Sequence, residues 1–252
     1  MEEDKVTTVN RFQRFIHSKS EGIFTEGDSG IAVCGIRLDS EILMLLPGME
    51  NIENIKNYGN LKYLSINNFA IGKRERIVLE RNAGVLRKIT HLHIWNIKQN
   101  DLDIIELFPG LTHLLVSYIR REDFSFRGLG YADHFRTLCL VSVNRITDFQ
   151  FLGEGMKKKI ESLSIEYCSR LTSFAGIDGF SNLKNLTLHA STAESRKRVS
   201  IEHLSGIEQL ENLTSLDLAY FNFDQEEMRR RIRGIKSLKN YKIDNTEYEN
   251  NN

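Results

Sequence analysis

Cysteine is scarce in this 252-residue chain: Cys34, Cys139 and Cys168, with no CxxC spacing. An odd, scattered set excludes a disulfide scaffold and a cysteine zinc site, and it fits reduced thiols inside a cell. Proline occurs twice, at Pro47 and Pro109. Each ends an aliphatic run, "EILMLLP" and "DIIELFP", which reads as an outer helix stopped by proline. No continuous aliphatic stretch exceeds Ile42 to Leu46, far short of a membrane span. The opening "MEEDK" lacks the apolar segment of a secretory signal. An excess of either charge is missing too, with 34 basic and 34 acidic residues, so nothing draws the whole chain to nucleic acid or to an anionic membrane. No nucleophile elbow, P-loop, HExxH or dinucleotide fingerprint occurs; Gly128-Leu129-Gly130 lacks the third glycine and the strand–helix setting. These absences lead to the expectation of a soluble intracellular protein that is not an enzyme and requires no cofactor or metal.

What the chain has instead is a repeat. An apolar residue, two of any kind, an apolar, any one, and an apolar recur nine times. The runs are Val33-Ile36-Leu38, Leu61-Leu64-Ile66, Ile89-Leu92-Ile94, Leu111-Leu114-Val116, Phe135-Leu138-Leu140, Ile160-Leu163-Ile165, Leu183-Leu186-Leu188, Leu213-Leu216-Leu218 and Leu238-Tyr241-Ile243. Their starts lie 28, 28, 22, 24, 25, 23, 30 and 25 residues apart. Side chains alternate across a strand, so the last two apolar positions of each run face inward and the residues between and beside them face out. One repeat cannot bury its apolar side alone; stacked neighbours share one continuous core under a curved parallel sheet. Ile177-Phe180-Leu183 and Ile207-Leu210-Leu213 recur every third residue ahead of their strands, which suits short 3₁₀ turns on the convex side. Longer intervals, as in "RERIVLERNAGVLRK" and "DLDIIELF", leave room for α-helix.

Residues 33–244 resemble a leucine-rich repeat domain, an α/β solenoid of about nine repeats. The closing repeats are similar in cadence to the short repeats of the phosphatase-regulator class. "LSIEYCSRLTSFAGI" resembles the cysteine-containing repeats of F-box proteins. The resemblance implies Asn or Cys at the ninth position, bonding the turn backbone. Here those places hold Glu41, Phe69, Ile97, Ile119, Val143, Cys168, Ser191, Phe221 and Thr246. Only Cys168 fits; most turns carry an apolar plug.

The ends read as caps. In residues 1–32, Val6, Val9, Phe12, Phe15 and Ile16 mark one face of a helix that covers the open end of the solenoid or docks on a partner, followed by a loop. Residues 245–252, "NTEYENNN", read as a disordered polar tail. Near the last strand, Asp224 and Glu227 stand at capping-box spacing ahead of Arg229, Arg230, Arg231 and Arg233, which complements a helix dipole. Lys157-Lys158-Lys159 and Arg196-Lys197-Arg198 read as solvated loops, so nucleic acid would have to bind through basic loops alone.

The outward positions line the concave face, the usual binding surface of such solenoids. In the first half they collect Tyr63, His91, His93, Trp95, His113, Leu115, Cys139 and Val141; Glu166 begins a smaller, polar second half. Exposed aromatic groups on a rigid sheet make binding hot spots, so Trp95 is the expected anchor, within an apolar surround of Tyr63, Leu115 and Val141. The competing reading is that another segment of the chain folds over this patch. His91, His93 and His113 are close enough for a three-histidine metal site, but ligands from a flat sheet splay apart, and polar contacts to a partner fit better. The expected function is a protein-binding scaffold or adaptor, monomeric outside its complex. The alternatives are a leucine-rich-repeat subunit of an RNA–protein particle and a GTPase activator using a loop or edge arginine, with Arg74, Arg76, Arg120 and Arg121 as candidates.

Overall fold

The computed structural model describes residues 41–45, 52–67, 71–96, 98–191 and 198–250. Within them the apolar runs fold as short strands: β1 (Ile42–Leu45), β2 (Tyr63–Asn67), β3 (His91–Trp95), β4 (His113–Ser117), β5 (Thr137–Val141), β6 (Ser162–Glu166) and β7 (Asn185–His189). After the two-residue β8 (Val199–Ser200) come β9 (Ser215–Ala219), the equally short β10 (Phe221–Asn222), β11 (Asn240–Ile243) and β12 (Thr246–Glu249). The sheet order β1-β2-β3-β4-β5-β6-β7-β9-β11-β12 follows the chain, and every pairing is parallel except the last. Register is strict: Leu64, Leu92, Leu114, Leu138, Leu163, Leu186, Leu216 and Tyr241 lie opposite one another across the sheet. In all eight described runs the three apolar residues are buried. The architecture is a leucine-rich-repeat solenoid.

The convex side is built from short pieces. Helices α1 (Lys73–Arg81) and α2 (Ala83–Leu86) fill the long interval before β3, and 3₁₀ turns at Ile177–Gly179 and Ile207–Gln209 stand where the three-residue spacing places them. Residues Asp103–Leu107, expected to be α-helix, are also 3₁₀. The interval from β3 to β4 is the shortest of those between the assigned runs, and a tighter turn closes it.

Two expectations are corrected, and two fall outside the described residues. The first run, Val33-Ile36-Leu38, lies outside the described residues, as does the helix expected in residues 1–32. The segment read as an outer helix is β1, with Leu43 opposite Leu64 and Leu45 opposite Ile66. A continuous aliphatic run such as "ILML" carries no period that tells strand from helix; the pairing with β2 decides. Within the segment read as a disordered tail, Thr246–Glu249 form β12, antiparallel to β11. An edge strand needs little apolar content: Tyr248 stacks on Tyr241 at 5.3 Å, and the Asn250 side chain donates to the carbonyls of Ile232, Ile235 and Leu238.

The turns after the strands explain how the repeats manage without a polar consensus. Asn96, Tyr118, Ser142 and Tyr167 adopt left-handed backbone, φ 56 to 61°, directly beyond β3 to β6. Each N–H donates to the last carbonyl of the next strand, on Ser117, Val141, Glu166 and His189, at 2.7–2.9 Å. A non-glycine residue there costs about 1–2 kcal/mol, and one further rung of the ladder offsets it. Ile119, Val143 and Cys168 then plug the turns, buried. Two residues later a long side chain reaches back one repeat: Gln99 to Ile71 O (3.4 Å), Arg121 to Lys98 O (2.8 Å), and Arg145 to Glu122 O (3.0 Å) and to Phe124 O. These ties satisfy loop carbonyls of the preceding repeat.

Candidate functional site

The concave face is floored by rows one strand spacing apart. Planar side chains at that spacing stack. His91 lies parallel to His113 at 4.0 Å and 7°, with Tyr63 tilted against its other side at 4.6 Å. The dipeptide Thr-His precedes both β3 and β4 cores, and in each the threonine hydroxyl meets the following imidazole Nδ1, at 2.9 Å for Thr90–His91 and 2.7 Å for Thr112–His113. His93 sits one row along, between Ser65 Oγ at 2.9 Å from Nδ1 and Ser117 Oγ at 2.8 Å from Nε2. Stacked and hydrogen-bonded in this way, the three rings do not converge on one point. Among the described residues, no three His, Cys, Asp or Glu side chains come together in a way that would hold a metal ion.

The outward positions of the first half are far less open than their alternation suggests. Tyr63, His91, His93, Leu115, Cys139 and Val141 are all buried, His93 completely. These side chains stand on the concave side of the sheet as alternation places them, but they are not the exposed apolar patch that alternation leads one to expect. Trp95, His113 and Glu166 keep partial exposure. Trp95 stands at the exit end of β3, edge-on to Tyr118 at 6.2 Å and 70°, and Tyr118 is partly exposed as well. The two rings form a rim where the floor ends.

Burial has an electrostatic consequence. Desolvation first, and the neighbouring His113 second, push the His91 pKa down to about 3. Unfolding returns it to about 6.5. The unfolded chain therefore binds the extra proton between those values, so the His91 contribution to stability is fully present above pH 6.5 and is lost on acidification, by up to about 1.4 kcal/mol per pH unit. Chemical denaturation at pH 7.0, 6.0 and 5.0 checks this. A His91→Gln variant should lose most of the slope in that window, and an unchanged slope would refute the assignment.

The second half of the face is polar and open. Asn185, Ser215, Asn240 and Lys242 are exposed, and Thr187, His189 and Asp217 are partly so. Glu166 accepts a hydrogen bond from Ser164 Oγ at 3.0 Å, and His189 Nε2 lies 3.3 Å from Asp217 Oδ1. Burial works against charging His189, but Asp217 and Glu166 outweigh it and raise the pKa. Asp217 and Glu166 thus favour the charged form of an imidazole that stands partly exposed on the sheet.

No protein-family model and no curated protein matches the chain. The crystal structure of an internalin C2 from Listeria monocytogenes str. 4b F2365 is similar, at 15% identity over 78% of this chain and 77% of that one, with a TM-score of 0.45.

Arg74 and Arg76 lie on α1, not in a loop, and are tied to Glu53 and to Glu80 and Glu106. Lys157, read as solvated, is buried on α3 (Glu154–Lys157), with Nζ 2.7 Å from Glu154 and 6.0 Å from the Phe180 ring centre. Arg196 and Lys197 lie outside the described residues; Arg198 bridges Phe221 O and Asp244. On α4 (Gln225–Arg233), Asp224 caps the amides of Glu226 and Glu227, while Glu227 pairs with Arg231. Cys168, the one consensus-like residue, donates to Glu166 O at 3.4 Å, and burial pushes its thiol up to about 12, so it is inert. No helix among the described residues is long and apolar enough to cross a membrane.

Proposed function

We propose that this protein is a non-catalytic scaffold that grips another protein on the concave side of its solenoid. The observation that carries the reading is the Trp95–Tyr118 pair, two partly exposed aromatic rings held at the edge of a rigid floor. Aromatic anchors bordered by adaptable polar groups are what binding surfaces use. The buried floor of Tyr63, His91, His93, Leu115, Cys139 and Val141 supports that rim, and Glu166, His189 and Asp217 supply charge for orientation. The reading places the protein inside the cell, where the free thiols of Cys139 and Cys168 stay reduced. It needs no cofactor, and it has the chain monomeric until it meets its partner.

The test is Trp95→Ala. Its melting curve should stay within about 1 kcal/mol of the wild type because the ring is only half-buried. Affinity for a captured partner should fall by about 2 kcal/mol. A protein retained by both forms with equal affinity would exclude Trp95 as the anchor. Salt-sensitive RNA retention in place of protein would favour the particle-subunit alternative.

A further inference from the structure

Gln99, Arg121, Arg145 and Arg170 each stand eight residues after the first residue of their strand, β3 to β6. The solenoid thus repeats one position at its strand-exit edge, and three consecutive repeats fill it with arginine. Arg120 joins them from the preceding position. Together with Glu122 and Asn144 they line a recess of about 290 Å³ on the loops beyond β4, β5 and β6. That is near the small end of ligand-sized pockets, roughly 300 Å³ and upwards, and it suits one charged group with its stem.

The guanidinium groups differ in how far they are committed. Arg121 is fully used: Nε and Nη2 grip Asp123, both at 2.9 Å, and Nη1 holds Lys98 O. Arg145 spends Nη1 on the carbonyls of Glu122 and Phe124, which fixes its plane. Arg120 is exposed and makes no hydrogen bond or ion pair among the described residues. Arg170 has one long ion pair, 3.8 Å to Glu122, whose own side chain is 90% exposed. Such a pair in water contributes little, so Glu122 is displaced at small cost. The recess thus offers one pre-set and two uncommitted guanidinium forks, more donors than a single carboxylate can accept, and a match for three phosphate oxygens.

We propose that this recess binds a phosphate group carried on a serine or threonine of a protein partner. A polyanion is a poorer fit: Glu122 and Asp123 interrupt the positive charge, and the whole chain is neutral. The carrier being a protein rests on the scaffold reading above; the anion site does not. Its position beside the β4 exit, two residues beyond Tyr118, lets one partner engage both.

The probe is a five-residue glycine peptide with a central phosphoserine, titrated against the full chain and followed by the arginine Nε–H signals in NMR. The same peptide unphosphorylated, a glutamate version, and a short single-stranded RNA are run beside it. Saturable shifts at Arg145 and Arg170 with the phosphopeptide alone are expected, weakening as salt is added. The double variant Arg120→Gln with Arg170→Gln should bind at least tenfold more weakly with unchanged melting, since neither residue holds the fold. Glu122→Gln should bind several-fold more tightly. Trp95→Ala should leave this binding intact, which separates failure of the anion site from failure of the concave anchor. No shift up to the solubility limit, equal response to the glutamate peptide, or tighter binding of RNA would each overturn the proposal.

Discussion

Replacing Gly128 with alanine should cost about 4 kcal/mol or more of unfolding free energy, a size reserved for a few mechanisms. Gly128 has φ +100°, and a Cβ there would lie 2.3 Å from both the carbonyl carbon and oxygen of Leu102 and 2.6 Å from Asp103 N. Those are backbone atoms of the preceding repeat and cannot rotate away. The loop would have to lift, breaking the Leu102 N–H to Arg127 O bond and drawing Arg127 off Asp101 and Asp103. Gly130 is the matched control, for a Cβ there meets nothing within 4 Å. Gly130→Ala should change stability by no more than about 0.5 kcal/mol. Urea unfolding of both variants decides the point: equal midpoints would mean that this loop does not pack on Leu102.

Phe149→Ala should cost about 3–5 kcal/mol, the range for a large aromatic removed from a core. Phe149 is fully buried and meets Phe174 at 5.8 Å and Phe180 at 6.0 Å, both edge to face. It therefore joins two adjacent repeats across the convex half of the core, where short 3₁₀ turns have little freedom to collapse. Its N–H also bonds Ala175 O, so the cavity opens beside a backbone tie between the same repeats. Phe149→Leu should recover more than half of the loss. A Phe149→Ala loss below about 1 kcal/mol would show that the neighbouring rings fill the space.

The strands were legible because a three-then-two apolar spacing repeated at near-constant intervals has one economical solution. Residues such as Leu92 and Leu163 could be placed in the core from that alone. β1 was not, since "ILML" has no alternation, and β12 was not, since a sheet edge tolerates the polar "TEYE" around one tyrosine. For the site, alternation correctly put His93 and Leu115 on the concave face, but a face is not an exposure. Whether such positions are accessible depends on contacts distant in sequence, which no local period encodes. The arginine ties escaped because they stand two residues past the consensus position. The aligned offsets of Gln99, Arg121, Arg145 and Arg170 were nevertheless there to be counted.

The reversed direction of β12 bears on how such a sheet can be enlarged. A parallel array ending at β11 would present an edge ready to take another repeat, whether fused on or borrowed from a second molecule. β12 fills that edge antiparallel to it, with Glu247 and Glu249 exposed. Charged side chains on an edge strand discourage its pairing with another chain. Grafting repeats that continue the parallel register of the sheet therefore starts most directly from Ile243, in place of β12.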